Sequence, residues 1–342
     1  MDADPPPPQA SQPPALLSAR RDDTSYITAA QPTLFAGELD VARAYAEAAR
    51  SAATRRAYAS DWRIFLEWCR MRAIEPLPAD PTTVAVFLAH EADRGSAPMT
   101  VGRRLAAIGY HHRQAGLQPP QEREGAAAIR EVLAGIRRSH GVAPQRKRPT
   151  DADMLRDLLR AVEGDGLRAV RDRALLALGM AGAFRRSELV ALEVADLAWD
   201  RQGVRVTVRR GKTDQEGAGA VVAILEGRRI RPTTLLRAWL DAAGIADGPV
   251  FRRLTRNDKL LAPPMSDRAV ARLVQATAAA AGYRPTDYAG HSLRSGFLTE
   301  AARQGASVFK MREVSRHKSM QVLADYVRDA ELFDGHAGER FL

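Results

Sequence analysis

A chain of 342 residues is long enough for two domains, each with a core of its own. No apolar run approaches the roughly 20 residues of a membrane span, and the Pro-rich, acidic start is unlike a secretory signal, so a soluble cytoplasmic protein is expected. The one cysteine, Cys69, excludes an internal disulfide framework and a cysteine-based metal cluster, while the formal charge of +10 favours a polyanionic partner, nucleic acid first.

The first 14 residues include six prolines and almost no large apolar side chain, so residues 1–36 are expected to be a disordered tail. That tail is acidic, with 2 basic and 4 acidic side chains, whereas residues 37–148 carry 18 and 12 and residues 149–342 carry 31 and 25. Both longer stretches are basic, as a polyanion touched by both would require. A merely soluble basic protein is the other reading of charge alone.

From residue 37 to 140 the pattern is helical. Tyr58, Trp62, Phe65, Leu66 and Cys69 recur at helical spacing, and Arg56, Ser60, Arg63, Glu67 and Arg70 form the opposite polar stripe. A second helix opens at Pro81 and carries Val84, Phe87 and Leu88. A third carries Val101, Leu105 and Ile108 with Arg103 and Arg104 turned outward, and a fourth sets Ile129, Val132, Leu133 and Ile136 on one face. A bundle of four or five helices is the economical reading. Arg56, Arg63, Arg103 and Arg104 are candidate phosphate contacts, and a solvated helix face is the alternative left open.

Residues 141–149, Gly-Val-Ala-Pro-Gln-Arg-Lys-Arg-Pro, join breakers to a basic triplet and predict an exposed linker, with Lys147 a further candidate DNA contact. Thr150 is the expected N-cap of the next helix. A long apolar helix follows over residues 167–181, and β-branched runs at 204–209 and 220–225 predict a hairpin or small sheet. Beyond about residue 265 the chain returns to helices. The predicted fold class is mainly α with a small antiparallel β-sheet: a helical DNA-binding domain over 37–140, a linker over 141–149, and a second domain over 150–342 whose C-terminal tail starts near 327.

Four short segments in the second domain belong together. The first is Gly182-Ala183-Phe184-Arg185-Arg186-Ser187-Glu188-Leu189, where Arg185 and Glu188 lie three apart and can share a helix face. The second is Gly211-Lys212-Thr213-Asp214 in the hairpin turn, and the third is Gly290-His291-Ser292-Leu293-Arg294. The fourth runs from Ser315-Arg316-His317-Lys318 to Asp325-Tyr326-Val327-Arg328. Each is weak alone: with 7 His and 46 Arg, one His-x-x-Arg is expected about by chance.

In this order and at these spacings the segments resemble the catalytic box of the tyrosine recombinases, the phage integrase family of lambda integrase- and Cre-like enzymes. Thr54-Arg55-Arg56-Ala57-Tyr58 and Thr100-Val101-Gly102-Arg103-Arg104-Leu105 resemble that family's core-binding helices more loosely. The resemblance implies a nucleoid-working, site-specific recombinase of bacterial, phage or mobile-element origin, using neither metal, ATP nor any other cofactor. Its implied partners are duplex DNA with specific recombination sites and three further copies, a homo-tetramer on two sites.

Carried over residue by residue, the resemblance implies Tyr326 as nucleophile, Arg185 and Arg294 as phosphate clamp, and Lys212 as general acid. It implies proton transfer and phosphate contact for His291, a second phosphate donor in His317, and orientation of Arg185 by Glu188. There are two departures. The family often has Leu-Gly-His where this chain has Ser315-Arg316-His317, and the tandem Arg185-Arg186 leaves an offset ambiguity that the spacing to Ser187-Glu188-Leu189 resolves for Arg185.

The residue types suit that chemistry. Attack on a phosphodiester adds charge to the non-bridging oxygens, and guanidinium forks stay protonated while binding them bidentately. At about 1.5–3 kcal/mol per charge-assisted hydrogen bond, two forks remove several orders of magnitude from the barrier. The leaving oxygen needs a proton, which Arg gives up poorly and Lys in a desolvated site gives up readily. A chain with 46 Arg and 5 Lys nevertheless has Lys at 212. A phosphotyrosine linkage conserves the bond energy, so a 5′ hydroxyl can reverse the attack.

Tyr288 is the competing tyrosine, set aside because it precedes the His-x-x-Arg box. A type IB topoisomerase and a non-catalytic DNA-binding regulator are the alternative functions. The tail from Asp325 onward is acidic, with five acidic and two basic side chains, yet Leu332, Phe333, Phe341 and Leu342 could anchor it on protein. In the family it resembles, the terminal segment docks on a neighbouring protomer, which is the expectation here.

Overall fold

The structure, a computed structural model, describes residues 36–141, 147–209 and 219–332. The expectations for the N-terminal tail, most of the linker, the segment around Lys212 and the last ten residues, Phe333, Phe341 and Leu342 included, fall outside the described residues. The chain divides into two compact units, Met1–Pro144 and Gln145–Leu342. No helix of the described residues is long and apolar enough to cross a membrane.

The described residues of the first unit form five α-helices: α1 (Ala36–Ala48), α2 (Ala52–Arg70), α3 (Pro81–Asp93), α4 (Pro98–Gln114) and α5 (Ala127–His140). Ser51 accepts from the Thr54 N–H at the start of α2 and Asp80 from Thr82 and Thr83 at the start of α3, so both helices open where a side chain satisfies free donors. The apolar stripes meet in one core of Phe65, Trp68, Cys69, Val84, Phe87, Leu88, Val101, Ile108, Ile129, Leu133 and Ile136. His112 is buried there as a satisfied core histidine, with Nε2 accepting from the Ala79 N–H at 2.9 Å and Nδ1 2.8 Å from the Ile108 carbonyl. Burial holds its pKa below the usual histidine value.

One expectation about this unit is corrected. Arg104 does not turn outward: its side chain is 11% exposed and lies between the carboxylates of Asp61, at 3.8 Å, and Glu91. Asp61 is itself buried on α2, and an unpaired buried carboxylate is costly enough to draw arginines inward. Arg103 remains half-exposed but grips Asp61 through Nε at 2.7 Å and Nη2 at 3.0 Å. Arg56 and Arg63 are exposed on α2.

The second unit begins with α6 (Ala152–Ala161), capped by Asp151 rather than Thr150: Asp151 accepts from the Met154 N–H, and Thr150 is buried. The predicted long helix is α7 (Leu167–Ala181), followed by the short α8 (Arg186–Val190). Strands β1 (Leu197–Asp200), β2 (Gly203–Val208) and β3 (Ala220–Leu225) form an antiparallel sheet in that order, with Val204 opposite Ile224 and Val206 opposite Val222. Alternation sends Val204, Val206, Val208, Val222 and Ile224 inward onto α7 and α9 (Pro232–Ala242), around Leu175, Leu178, Leu236 and Trp239.

A two-stranded ribbon, β4 (Arg252–Leu254) with β5 (Leu260–Pro264), precedes α10 (Asp267–Ala280). The last helices are α11 (Ser292–Arg303), α12 (Val308–Ser315) and α13 (Met320–Ala330), which enclose Leu298, Ala302, Met311 and Leu323.

The start of α11 is fixed from outside. Thr150 donates its N–H to the Ser292 carbonyl at 2.9 Å, Arg148 donates to the Asp287 carbonyl at 2.8 Å, and the Lys147 ammonium donates to the Thr286 carbonyl. Residues 147–150 are therefore tied to this unit rather than being free linker. Gly296 allows the approach, since a Cβ there would lie 1.8 Å from the Thr150 carbonyl oxygen. Gly296→Ala is expected to lower Tm by several degrees. Forced backbone movement costs about 1–3 kcal/mol or more, outweighing the ~1 kcal/mol of helix propensity that Ala gains. A thermal melt with unchanged or raised Tm would show that the contact is slack.

Candidate active site

The α7 helix ends at Gly182, where the Phe184 ring folds back so closely that a Cβ would lie 2.1 Å from it. Ala183 takes φ 45°, and this turn delivers Arg185 as the N-cap of α8. Glu188, one turn on, has a fully buried side chain; its Oε2 accepts from the Arg185 backbone N–H at 2.9 Å and its Oε1 from the Arg185 guanidinium. Arg186 is directed elsewhere, its aliphatic stem resting where a Gly290 side chain would be.

His291 caps α11 and is exposed, and Arg294, one turn further, is fully buried. Arg294 donates Nη1 to the Ala183 carbonyl at 2.6 Å, joining α11 to the turn before Arg185. Its Nη2 lies 3.2 Å from Nδ1 and 3.3 Å from Nε2 of His317, which sits between α12 and α13. A guanidinium can only donate, so the ring it faces is neutral. Ser315 Oγ is 2.8 Å from His317 Nδ1, a second contact that fixes the ring.

Tyr326 lies on α13, half-buried against the cluster of Leu298, Ala302, Met311 and Leu323, and close enough for its hydroxyl to act electrostatically on Arg294. Arg185, Glu188, His291, Arg294, His317 and Tyr326 thus come together from three separated stretches of chain. Lys212 falls among residues 210–218, outside the described residues, between the ends of β2 and β3. Tyr288 is buried in the core of α6, α7 and α10, with Met154, Leu158 and Val274.

The cluster is strongly cationic. Burial, then Arg185, lowers the Arg294 guanidinium to about 9, which leaves it charged at neutral pH. Burial, then Arg294 and Arg185, pushes His317 down to about 3, and the protein packed around His291, then Arg294 and the neighbouring arginines, lowers that ring as well. Burial alone would raise the Glu188 carboxyl, but the charge of Arg316 and the hydrogen bonds from Arg185 outweigh it and hold it below the usual range. At neutral pH the site therefore holds buried guanidiniums, one carboxylate and two neutral imidazoles, suited to receiving an anion with more than one negative oxygen. Among the described residues no three His, Cys, Asp or Glu side chains converge to hold a metal ion.

Sequence reasoning missed Arg316. It lies at the C-cap of α12 in the left-handed region, φ 58°, ψ 37°, and its guanidinium reaches Glu188 Oε2 at 2.8 Å. The signal was present as a departure, an arginine where the resembling family often has glycine.

Comparison with known proteins shows the family to which the chain belongs. The sequence profile of the phage integrase family matches residues 149–332. An integrase/recombinase XerD homologue of Selenomonas ruminantium is 36% identical over 289 residues, 84% of this chain and 84% of that protein. The recombinase Cre of Escherichia phage P1 is 26% identical over 290 residues, 79% of this chain and 82% of that protein. Among solved structures, the Tn1549 transposon integrase in complex with transposon right end DNA shares the fold with a TM-score of 0.57 at 16% identity, covering 83% of this chain and 93% of that one. On the extent of the profile match and the identity to the Selenomonas protein, the chain belongs to the phage integrase family, the tyrosine recombinases.

Proposed function

We propose that this chain carries out site-specific DNA recombination with Tyr326 as nucleophile. The Tyr326 hydroxyl oxygen attacks the scissile phosphorus, the bond to the 5′ oxygen breaks, and a 3′-phosphotyrosyl linkage forms. The Tyr326 proton passes to His291 or solvent, and Lys212 protonates the leaving 5′ oxygen. Rejoining is the same exchange run backwards by another 5′ hydroxyl, and one phosphodiester replaces another without ATP. Arg185 and Arg294 bind the non-bridging oxygens, neutral His317 adds an N–H, and Glu188 holds Arg185 in place.

The observation that carries the reading is the convergence of Arg185, His291, Arg294 and His317 beside Tyr326, with a buried guanidinium 3.2–3.3 Å from the His317 ring. Such a constellation has no evident use in packing alone, since burying cations without a bound anion is costly. A non-catalytic regulator would have no need of it.

Arg56, Arg63, Arg103 and Lys147 are proposed to contact backbone phosphates. Arg104 is not, because its side chain is buried between Asp61 and Glu91, whereas Arg103 remains half-exposed. Four protomers on two DNA sites are the proposed working assembly, with the acidic C-terminal tail docking on the next protomer.

The test is a covalent complex between the protein and site DNA that survives SDS, formed equally well in EDTA because the charge at the phosphate comes from Arg185 and Arg294. Lys212→Ala is expected to slow that cleavage strongly on ordinary DNA. The same variant should cleave a substrate with sulfur at the leaving 5′ position with little penalty, since a thiolate leaves without a proton. Equal defects on both substrates would remove Lys212 from the role of acid, and Lys259 would be examined next. Failure of the wild-type protein to form any adduct would overturn the reading.

A further inference from the structure

The backbone at Arg316 is of a kind that glycine adopts freely and other residues disfavour. Closing the helix does not require a side chain there: the Arg316 N–H donates to the Arg312 carbonyl at 2.7 Å, as a glycine N–H would with less strain. What the arginine adds is a set of side-chain contacts, most of them to residues far away in the chain. Nη2 donates to Glu188 Oε2 at 2.8 Å and to the Ala183 carbonyl at 3.2 Å, and Nη1 donates to the Gly182 carbonyl at 3.2 Å and to the Val314 carbonyl. The guanidinium carbon lies 5.1 Å from the centroid of the Phe184 ring.

Two consequences follow from this geometry. Glu188 is shared between two guanidiniums, Oε1 taking that of Arg185 and Oε2 that of Arg316, while Oε2 also accepts from the Arg185 backbone N–H. The Arg185 guanidinium is held through Nη1 alone, and the Arg185 backbone N–H is held by the other Glu188 oxygen. The Ala183 carbonyl is also shared, by Arg294 at 2.6 Å and Arg316 at 3.2 Å. The residue immediately before His317, on the connection to the helix of Tyr326, is thereby bonded to the turn immediately before Arg185.

We propose that Arg316 is a positioning residue for strand transfer, sharing the buried Glu188 carboxylate with Arg185 and so fixing the His317–Tyr326 segment against the Arg185 turn. The inference rests on the function proposed above. Arg316 is given no phosphate role because its charge is met by the buried Glu188 carboxylate at 2.8 Å, an ion pair that Arg294 lacks among the described residues.

The experiment compares wild type, Arg316→Gly and Arg316→Lys in single-turnover cleavage of site DNA, alongside DNA affinity, Tm and rescue by added guanidinium ion. Arg316→Gly suits the backbone and removes only the side chain. It is expected to bind DNA within about threefold of wild type yet cleave about tenfold or more slowly, since small misplacement of reacting groups is costly. Guanidinium ion in the medium should restore part of that rate, and should not restore Tyr326→Phe. Arg316→Lys keeps the charge but cannot reach both Glu188 and the turn carbonyls, so it should bind normally and cleave slowly; it carries the test if the glycine variant does not fold. Wild-type cleavage rates in a folded Arg316→Gly, or in Arg316→Lys if that is the folded variant, overturn the inference while the wild-type adduct keeps the function reading intact. No adduct from wild type overturns both.

Discussion

Tyr326→Phe is expected to bind site DNA with near-wild-type affinity and to form no covalent complex. The substitution removes one oxygen and keeps the ring, which packs half-buried on Leu298, Ala302 and Leu323 between α11 and α13, so the fold should be retained. Mobility shift and SDS gels of the same reactions read the two outcomes separately. A retained adduct would move the nucleophile elsewhere. Tyr288, the other tyrosine near the His-x-x-Arg box, would then have to leave a core in which it is 4% exposed.

Arg294→Lys should lower the single-turnover cleavage rate by about 10²–10³-fold, the usual loss when one preorganised donor to a developing oxyanion is removed. The charge survives in this variant, but the fork does not. One ammonium cannot span both the Ala183 carbonyl, 2.6 Å from Nη1, and the His317 ring, 3.2 Å from Nη2. The Ala183 carbonyl is left to Arg316 alone or the imidazole to Ser315 alone, and the phosphate loses a planar donor pair. DNA affinity should change far less than rate, because most phosphate contacts lie elsewhere. A variant that binds and cleaves within about threefold of wild type would show that Arg294 is structural and not part of the clamp.

The parts of the molecule that could be read from sequence are those governed by local periodicity or fixed spacing. The stripe through Trp62, Phe65 and Cys69 is the core face of α2, and the β-branched runs are β2 and β3 in register. The parts that could not be read depend on partners far away in the chain. Arg103 and Arg104 are adjacent in a polar stripe, and only Asp61, 42 residues before Arg103, and Glu91 decide that Arg104 turns in. The contact from Arg316 to Glu188 spans 128 residues and depends on one left-handed torsion that no pattern announces. Thr150 and Asp151 are both cap-forming types, and the choice fell to Asp151 because Thr150 is buried beside Gly296. The β4–β5 ribbon carries no strand signal in the sequence, because its strands are short, irregular in register and end in Pro263 and Pro264.

The candidate site shows the same division. The spacing of Arg185 to Glu188 and of His291 to Arg294 sets each pair one helical turn apart, which is local information. That the two pairs meet through the Ala183 carbonyl, and that His317 joins them, is tertiary.

The most direct measurement is to digest the wild-type covalent complex with nuclease and protease and locate the residual nucleotide by mass spectrometry. The account predicts a single modified peptide, with the phosphoryl group on the Tyr326 oxygen and attached through the DNA 3′ end. A nucleotide on any other residue, or attachment through the 5′ end, would contradict it.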